Sequence, residues 1–170
     1  GEYSAKASLD YVNQKFVRDD SQAQILVEGD VTADNALERL DAAESRAANK
    51  RATVVLSSGE PDIDSPLAVM ERVAARNESF NATFAAADTD GNGVPDRNVK
   101  GVYDALVAAA PDEAGNVVAR TDDGSYEAVR LVVSIKGSAA SSAVTEQMRA
   151  VARSLDGNGF TATATGQVVV

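Results

Sequence analysis

The chain has 170 residues, of which 44% are hydrophobic and only 5% aromatic, so we expect a core built mainly from small side chains. Its 26 acidic and 16 basic residues give a net charge of −10, which argues against nucleic acid and anionic lipid headgroups as partners. Cys and His are both absent, which excludes disulfides, Ser-His-Asp triads, Cys nucleophiles and the usual zinc sites. We therefore expect a protein that is not an enzyme.

The first predicted elements are a lead-in helix over residues 4–17 and a strand over residues 22–28, because apolar residues recur first at helical and then at alternating spacing. Thr32 is a suitable N-cap for a helix that runs to about Asn49. A strand over residues 52–56 follows. Together these segments predict one β-α-β unit over residues 22–57. The apolar stripe of its helix consists of Ala36, Leu37, Leu40, Ala43 and Ala47.

A second β-α-β unit is predicted over residues 126–166, near the end of the chain. Its strands are residues 126–136 and 160–165, and its helix carries Val144, Met148, Val151 and Leu155 on one face. Two such units predict an α+β fold of the ferredoxin-like, split β-α-β type, an antiparallel four-stranded sheet with both long helices on one face. Residues 60–124 between the units read as a helical insertion, since apolar residues recur there at helical spacing.

The insertion contains the sequence DTDGNGVPDRNV, which begins like an EF-hand calcium loop. Alternating carboxylates on a tight glycine turn supply the oxygen ligands that Ca²⁺ prefers. The twelfth position is Val99, where an EF-hand requires a bidentate Glu, so only a shortened loop is possible. The alternative is a polar turn between two helices in an Asp-rich protein. The predicted ligands of a structural Ca²⁺ are Asp88, Asp90, Asn92, the backbone carbonyl of Val94, and Asp96.

The choice of charged residues in this chain favours a salt-loving archaeal source. Only five of the 16 basic residues are Lys, and the chain is rich in Ala and Val. Such a composition keeps a protein hydrated and soluble when salt screens its charges. An ordinary acidic protein is the alternative interpretation.

Two stretches resemble the extracytoplasmic porter domains of RND-superfamily exporters, in particular the MMPL-like branch with its haloarchaeal members. Residues 24–40, QILVEGDVTADNALERL, resemble the first porter strand and helix. Residues 163–170, TATGQVVV, resemble the last strand before a membrane helix. The acidic insert followed by Val102-Tyr103-Asp104-Ala105-Leu106 is similar to the helical insertion of haloarchaeal members.

The resemblance implies a location on the extracytoplasmic side of the cell membrane and a function in proton-driven export of hydrophobic or amphiphilic compounds. It implies two partners: the second porter domain and the transmembrane helices of the parent transporter, which carry the proton-relay acids. Two other functions remain open. One is an autonomous extracellular, calcium-dependent binding or adhesion module, and the other is the periplasmic domain of a related protein-translocation component.

Overall fold

The computed structural model describes residues 22–165 and shows an α+β fold with one five-stranded antiparallel sheet and six helices. The lead-in helix predicted over residues 4–17 lies outside the described residues, as do residues 166–170 of the second resemblance segment. Within the described part, no helix is both long and apolar enough to cross a membrane.

The sheet is built around two long central strands. Its order is β2-β4-β1-β5, and β3 pairs with another stretch of β4 on the same side as β2. Gln22 lies opposite Ser134 and Glu28 lies opposite Ala128, so β1 pairs with β4 along almost its whole length. The strands are β1 (Gln22–Gly29), β2 (Ile63–Asp64), β3 (Val118–Arg120), β4 (Tyr126–Ser134) and β5 (Phe160–Thr165).

Six helices accompany the sheet, and two of them belong to the predicted β-α-β units. They are α1 (Ala36–Ala48), α2 (Pro66–Arg76), α3 (Glu78–Ala86), α4 (Val99–Ala109), α5 (Pro111–Gly115) and α6 (Ser141–Leu155). The helix predicted to begin after an N-cap at Thr32 begins three residues later, at Ala36, with Asn35 as its N-cap. The chain first makes a turn at residues 31–35, which delays the helix.

The core forms between one face of the sheet and the helices. Alternate residues of β1 and β4, including Ile25, Val27 and Leu131, are fully buried there because successive strand residues point to opposite faces. The buried stripe predicted for α1 joins this core, as does the stripe of α6. The two helices also contact each other. We call β1, β4, β5, α1 and α6 the sheet module.

The strand predicted over residues 52–56 is not continuous, which corrects the prediction for this segment. Only isolated bridges form, from Thr53 to Ile135 and from Val55 to Pro61. Val54 donates to Ser134 O and Asp62 donates to Val54 O, so the chain turns away from β4 after Val54 and returns as β2. The β-branched run satisfies strand propensity, but a strand also needs a neighbour along its length.

Residues 60–124, which we call the insertion, contain α2 to α5 together with the short strands β2 and β3. Buried apolar side chains of α2, α3 and α4, such as Met70, Phe80 and Leu106, belong to the same core as the sheet module. The two strands were not predicted. Each is at most three residues long, so neither shows the alternation from which a strand is recognised in sequence.

A close contact fixes the junction of β1, α1 and β5. Gly29 has φ +111°, and a Cβ at this position would lie 2.1 Å from the carbonyl oxygen of Gly159. Arg39 of α1 donates hydrogen bonds to the carbonyls of Leu155, Gly157 and Asn158, and its guanidinium lies 3.8 Å from the ring centroid of Phe160. Gly29 and Arg39, both within the first resemblance segment, therefore have a structural role here.

Candidate functional site

The predicted calcium loop lies between α3 and α4, and we call residues 88–97 the acidic loop. Gly91 and Gly93 have φ of +73° and +87°, values that glycine adopts without steric cost. Asp90, Gly91, Asn92 and Gly93 are exposed, whereas Val94 is 7% exposed and packs into the core. The loop is therefore a surface turn that is anchored at its far end.

The side chains of the acidic loop mainly bond its own backbone. Asp88 accepts hydrogen bonds from the N–H groups of Asn92 (3.2 Å) and Gly93 (2.8 Å). Asn92 Oδ1 accepts from Val94 N–H at 2.9 Å. Asp96 accepts from the N–H and the hydroxyl of Thr89, at 3.0 and 2.8 Å. These bonds hold the loop in a tight turn.

The carboxylates of the loop influence one another electrostatically. Desolvation raises the pKa of Asp90, and its contact with Asp88 and the charges of Asp96 and Glu38 raise it further. Hydrogen bonds from the backbone and the hydroxyl of Thr89 hold the pKa of Asp96 below its usual value. Like charges at close range disfavour ionisation, so Asp90 is the position at which a cation would relieve the most repulsion.

The carboxylates of the loop approach one another in pairs. Asp90 lies near both Asp88 and Asp96, yet no three acidic side chains of residues 22–165 are grouped so that they could hold a metal ion. The structure thus brings Asp88, Asp90 and Asn92 into one turn.

Two contacts connect the acidic loop to α1 and to the turn that precedes it. Asn92 Nδ2 donates to Glu38 Oε2 at 3.1 Å, and Arg97 forms an ion pair with Asp34 at 3.1 Å. Sequence reasoning did not identify Glu38, Asp34 or Arg97, since contacts across more than 50 residues leave no local pattern. Glu38 thus adds a fourth carboxylate beside the predicted ligands.

No protein family matches this sequence, and no curated protein or solved structure matches it either.

Proposed function

We propose that this chain is an extracytoplasmic, porter-type domain of an RND-superfamily exporter, located at the cell membrane. In this role it forms part of the path of a hydrophobic or amphiphilic substrate and performs no chemical step itself. Its partners are the second porter domain and the transmembrane helices of the parent protein, where proton movement drives transport. The proposal rests on the two resemblance segments and on the topology of the sheet.

The strand order supports a ferredoxin-like, split β-α-β plan within the observed α+β fold. In this interpretation β1, α1 and the 52–64 edge form the first unit, and β4, α6 and β5 form the second. Both crossover helices bury their apolar stripes in one core, as two such units require. The insertion then separates the units without interrupting the two central strands.

One observation carries the proposal further than the others. Gln24 lies opposite Thr165 in the antiparallel pairing of β1 with β5, so β1 begins and β5 ends at the same end of the sheet. A domain inserted between two membrane helices needs this arrangement, because the chain must arrive from the membrane and return to it at one end. A stiff sheet of this kind suits rigid-body movement against a partner domain.

The first resemblance segment, residues 24–40, covers most of β1, the following turn and the first turn of α1. Within it, Gly29 permits the close approach to Gly159, and Arg39 binds the turn before β5. The residues that carry the resemblance are thus structural ones, which fits a family whose members share a module and differ in their substrates. Substrate identity would then depend on surfaces shared with the partner domain.

The sequence of the parent gene on both sides of this chain tests the proposal. We expect an apolar run of about 20 residues before Gly1 and another after Val170, since that length spans the hydrocarbon core of a membrane. A repeat of the same pattern elsewhere in the reading frame would indicate the two-halved architecture of these exporters. Flanking sequence without such runs would overturn the proposal, and the protein-translocation alternative would be favoured by a single pair of runs without the repeat.

A calcium-dependent extracellular binding module is the second candidate, supported by the carboxylates of Asp88, Asp90, Asp96 and Glu38 around one loop. In that case millimolar Ca²⁺ should raise the melting temperature of the chain, because a ligand that binds only the folded state stabilises it. The double variant Asp88→Ala, Asp90→Ala should lose the increase, and Mg²⁺ at equal ionic strength serves as the control. An unchanged wild-type melting curve would exclude the calcium role.

A further inference from the structure

A second acidic cluster lies where the insertion meets α1, on the same helix as Glu38 but away from the acidic loop. Glu44 Oε1 of α1 accepts a hydrogen bond of 2.9 Å from the hydroxyl of Ser65. Ser65 is 1% exposed and is the N-cap of α2, where its Oγ accepts from Ala68 N–H at 3.0 Å. One serine therefore connects the first turn of α2 to the carboxylate of Glu44.

The charged groups that act on Glu44 are all acidic. They are Asp41 of α1, Asp64 of β2 and Glu71 of α2. Arg72 forms ion pairs with Asp64, at 3.2 Å, and with Glu113, at 3.8 Å, rather than with Glu44. An ionised Glu44 is therefore repelled from its own helix, from the adjacent strand and from α2, and the Ser65 hydroxyl is its hydrogen-bond donor.

Burial makes this position sensitive to protons near neutral pH. It raises the pKa of Glu44 to about 7, with further contributions from Asp41, Glu71 and Asp64, against the lowering effect of the Ser65 hydrogen bond. Desolvation also raises the pKa of Glu71, which Asp41 and Glu60 raise further. The uncharged acid fits the closed contact, whereas the carboxylate is more stable in water.

We propose that the contact between α1 and the first turn of α2 opens and closes with the ionisation of Glu44, so that acid holds the insertion against the sheet module. A carboxyl group whose pKa is higher in the closed state than in the open state stabilises the closed state at low pH. This stabilisation decreases as the pH rises from about 4.5, and it is lost once the pH passes the closed-state value near 7. This pH-dependent contact between α1 and α2 does not depend on the proposed transport role.

Hydrogen exchange of the backbone amides in the first turn of α2, Ala68 above all, measures this opening directly. After correction for the intrinsic pH dependence of exchange, the opening constant of the wild type should increase roughly 10- to 100-fold between pH 5 and pH 8. Glu44→Gln, which keeps the hydrogen-bond acceptor without the charge, should make the opening independent of pH. Glu146→Gln, at an exposed position of α6, is the matched control and should behave like the wild type.

Two further measurements keep the proposal falsifiable if Glu44→Gln folds poorly. The side-chain carboxyl carbon of Glu44, followed by NMR in the wild type, should titrate near neutral pH, and Glu71→Gln should shift that midpoint to lower pH by removing a repelling charge. A Glu44 midpoint at the ordinary value of a glutamate, or an equal increase of opening in Glu44→Gln, would overturn the switch. Neither result would affect the exporter proposal, which depends on the parent gene.

Discussion

In the sheet module, β1 and β4 pair from Gln22 opposite Ser134 to Glu28 opposite Ala128, and β5 pairs with β1 along its full length. The insertion pairs with the same sheet through β2 and β3, which have two and three residues. Its remaining links to the module include polar contacts such as Ser65–Glu44, Asn92–Glu38 and Arg97–Asp34. Both regions share one apolar core.

The comparison shows which part of the molecule can respond to its surroundings. Strand pairing and apolar packing change little with pH, ions or salt, whereas carboxylate contacts at a half-exposed junction change with all three. The proposed ionisation of Glu44 would thus act on the attachment of the insertion, while the sheet module keeps its shape.

The largest effect is expected in the sheet module, from Met148→Asp in α6. Met148 is 2% exposed in the core, and an unpaired carboxylate there should cost more than about 4 kcal/mol and leave the chain largely unfolded. Thermal melting followed by circular dichroism measures this. Arg149→Asp, at the adjacent exposed position, should retain a cooperative transition. A folded Met148→Asp variant would mean that α6 is not held by this core.

Gly29→Ala should destabilise the module by about 2–4 kcal/mol, because φ is positive and the added Cβ would meet Gly159 O at 2.1 Å. Urea denaturation gives the value. Gly115→Ala is the control, since its Cβ would meet no atom within 4 Å, and it should be neutral or slightly stabilising. Equal stability of both variants would contradict the close approach of β1 and the turn before β5.

A smaller effect of opposite sign is expected in the insertion, from Tyr103→Phe in α4. The ring of Tyr103 lies 5.2 Å from that of Tyr126, but its buried hydroxyl has no hydrogen-bond partner among residues 22–165. Burial accordingly raises its pKa far above the usual value. Removing the hydroxyl should stabilise the chain by about 1 kcal/mol. Tyr126→Phe, which loses the bond to Asp104, should instead destabilise it, and a loss of stability in Tyr103→Phe would show that its hydroxyl has a partner.

Periodic segments were predicted well, and short or non-local features were not. β5 has the predicted bounds, and β1 and α6 differ from the prediction by one residue at one end, because a long alternating or helical stripe is a local property of the chain. The strand predicted over residues 52–56 is not continuous, because β2 from further along the chain pairs with β4 at Val132 and Val133. For the acidic loop, the sequence identified the carboxylates, and the structure added Glu38 and the loop's self-bonded geometry.

The sequence by itself determined the α+β class, the apolar stripes of α1 and α6, the acidic character and the absence of thiol and imidazole chemistry. Only the tertiary structure decided which strands are neighbours, that β1 begins where β5 ends, and that Glu44 meets Ser65, Asp64 and Glu71. Spacing along a chain encodes the direction in which side chains point. The identity of the group they meet depends on segments far apart in sequence, and so does the pKa that results from the encounter.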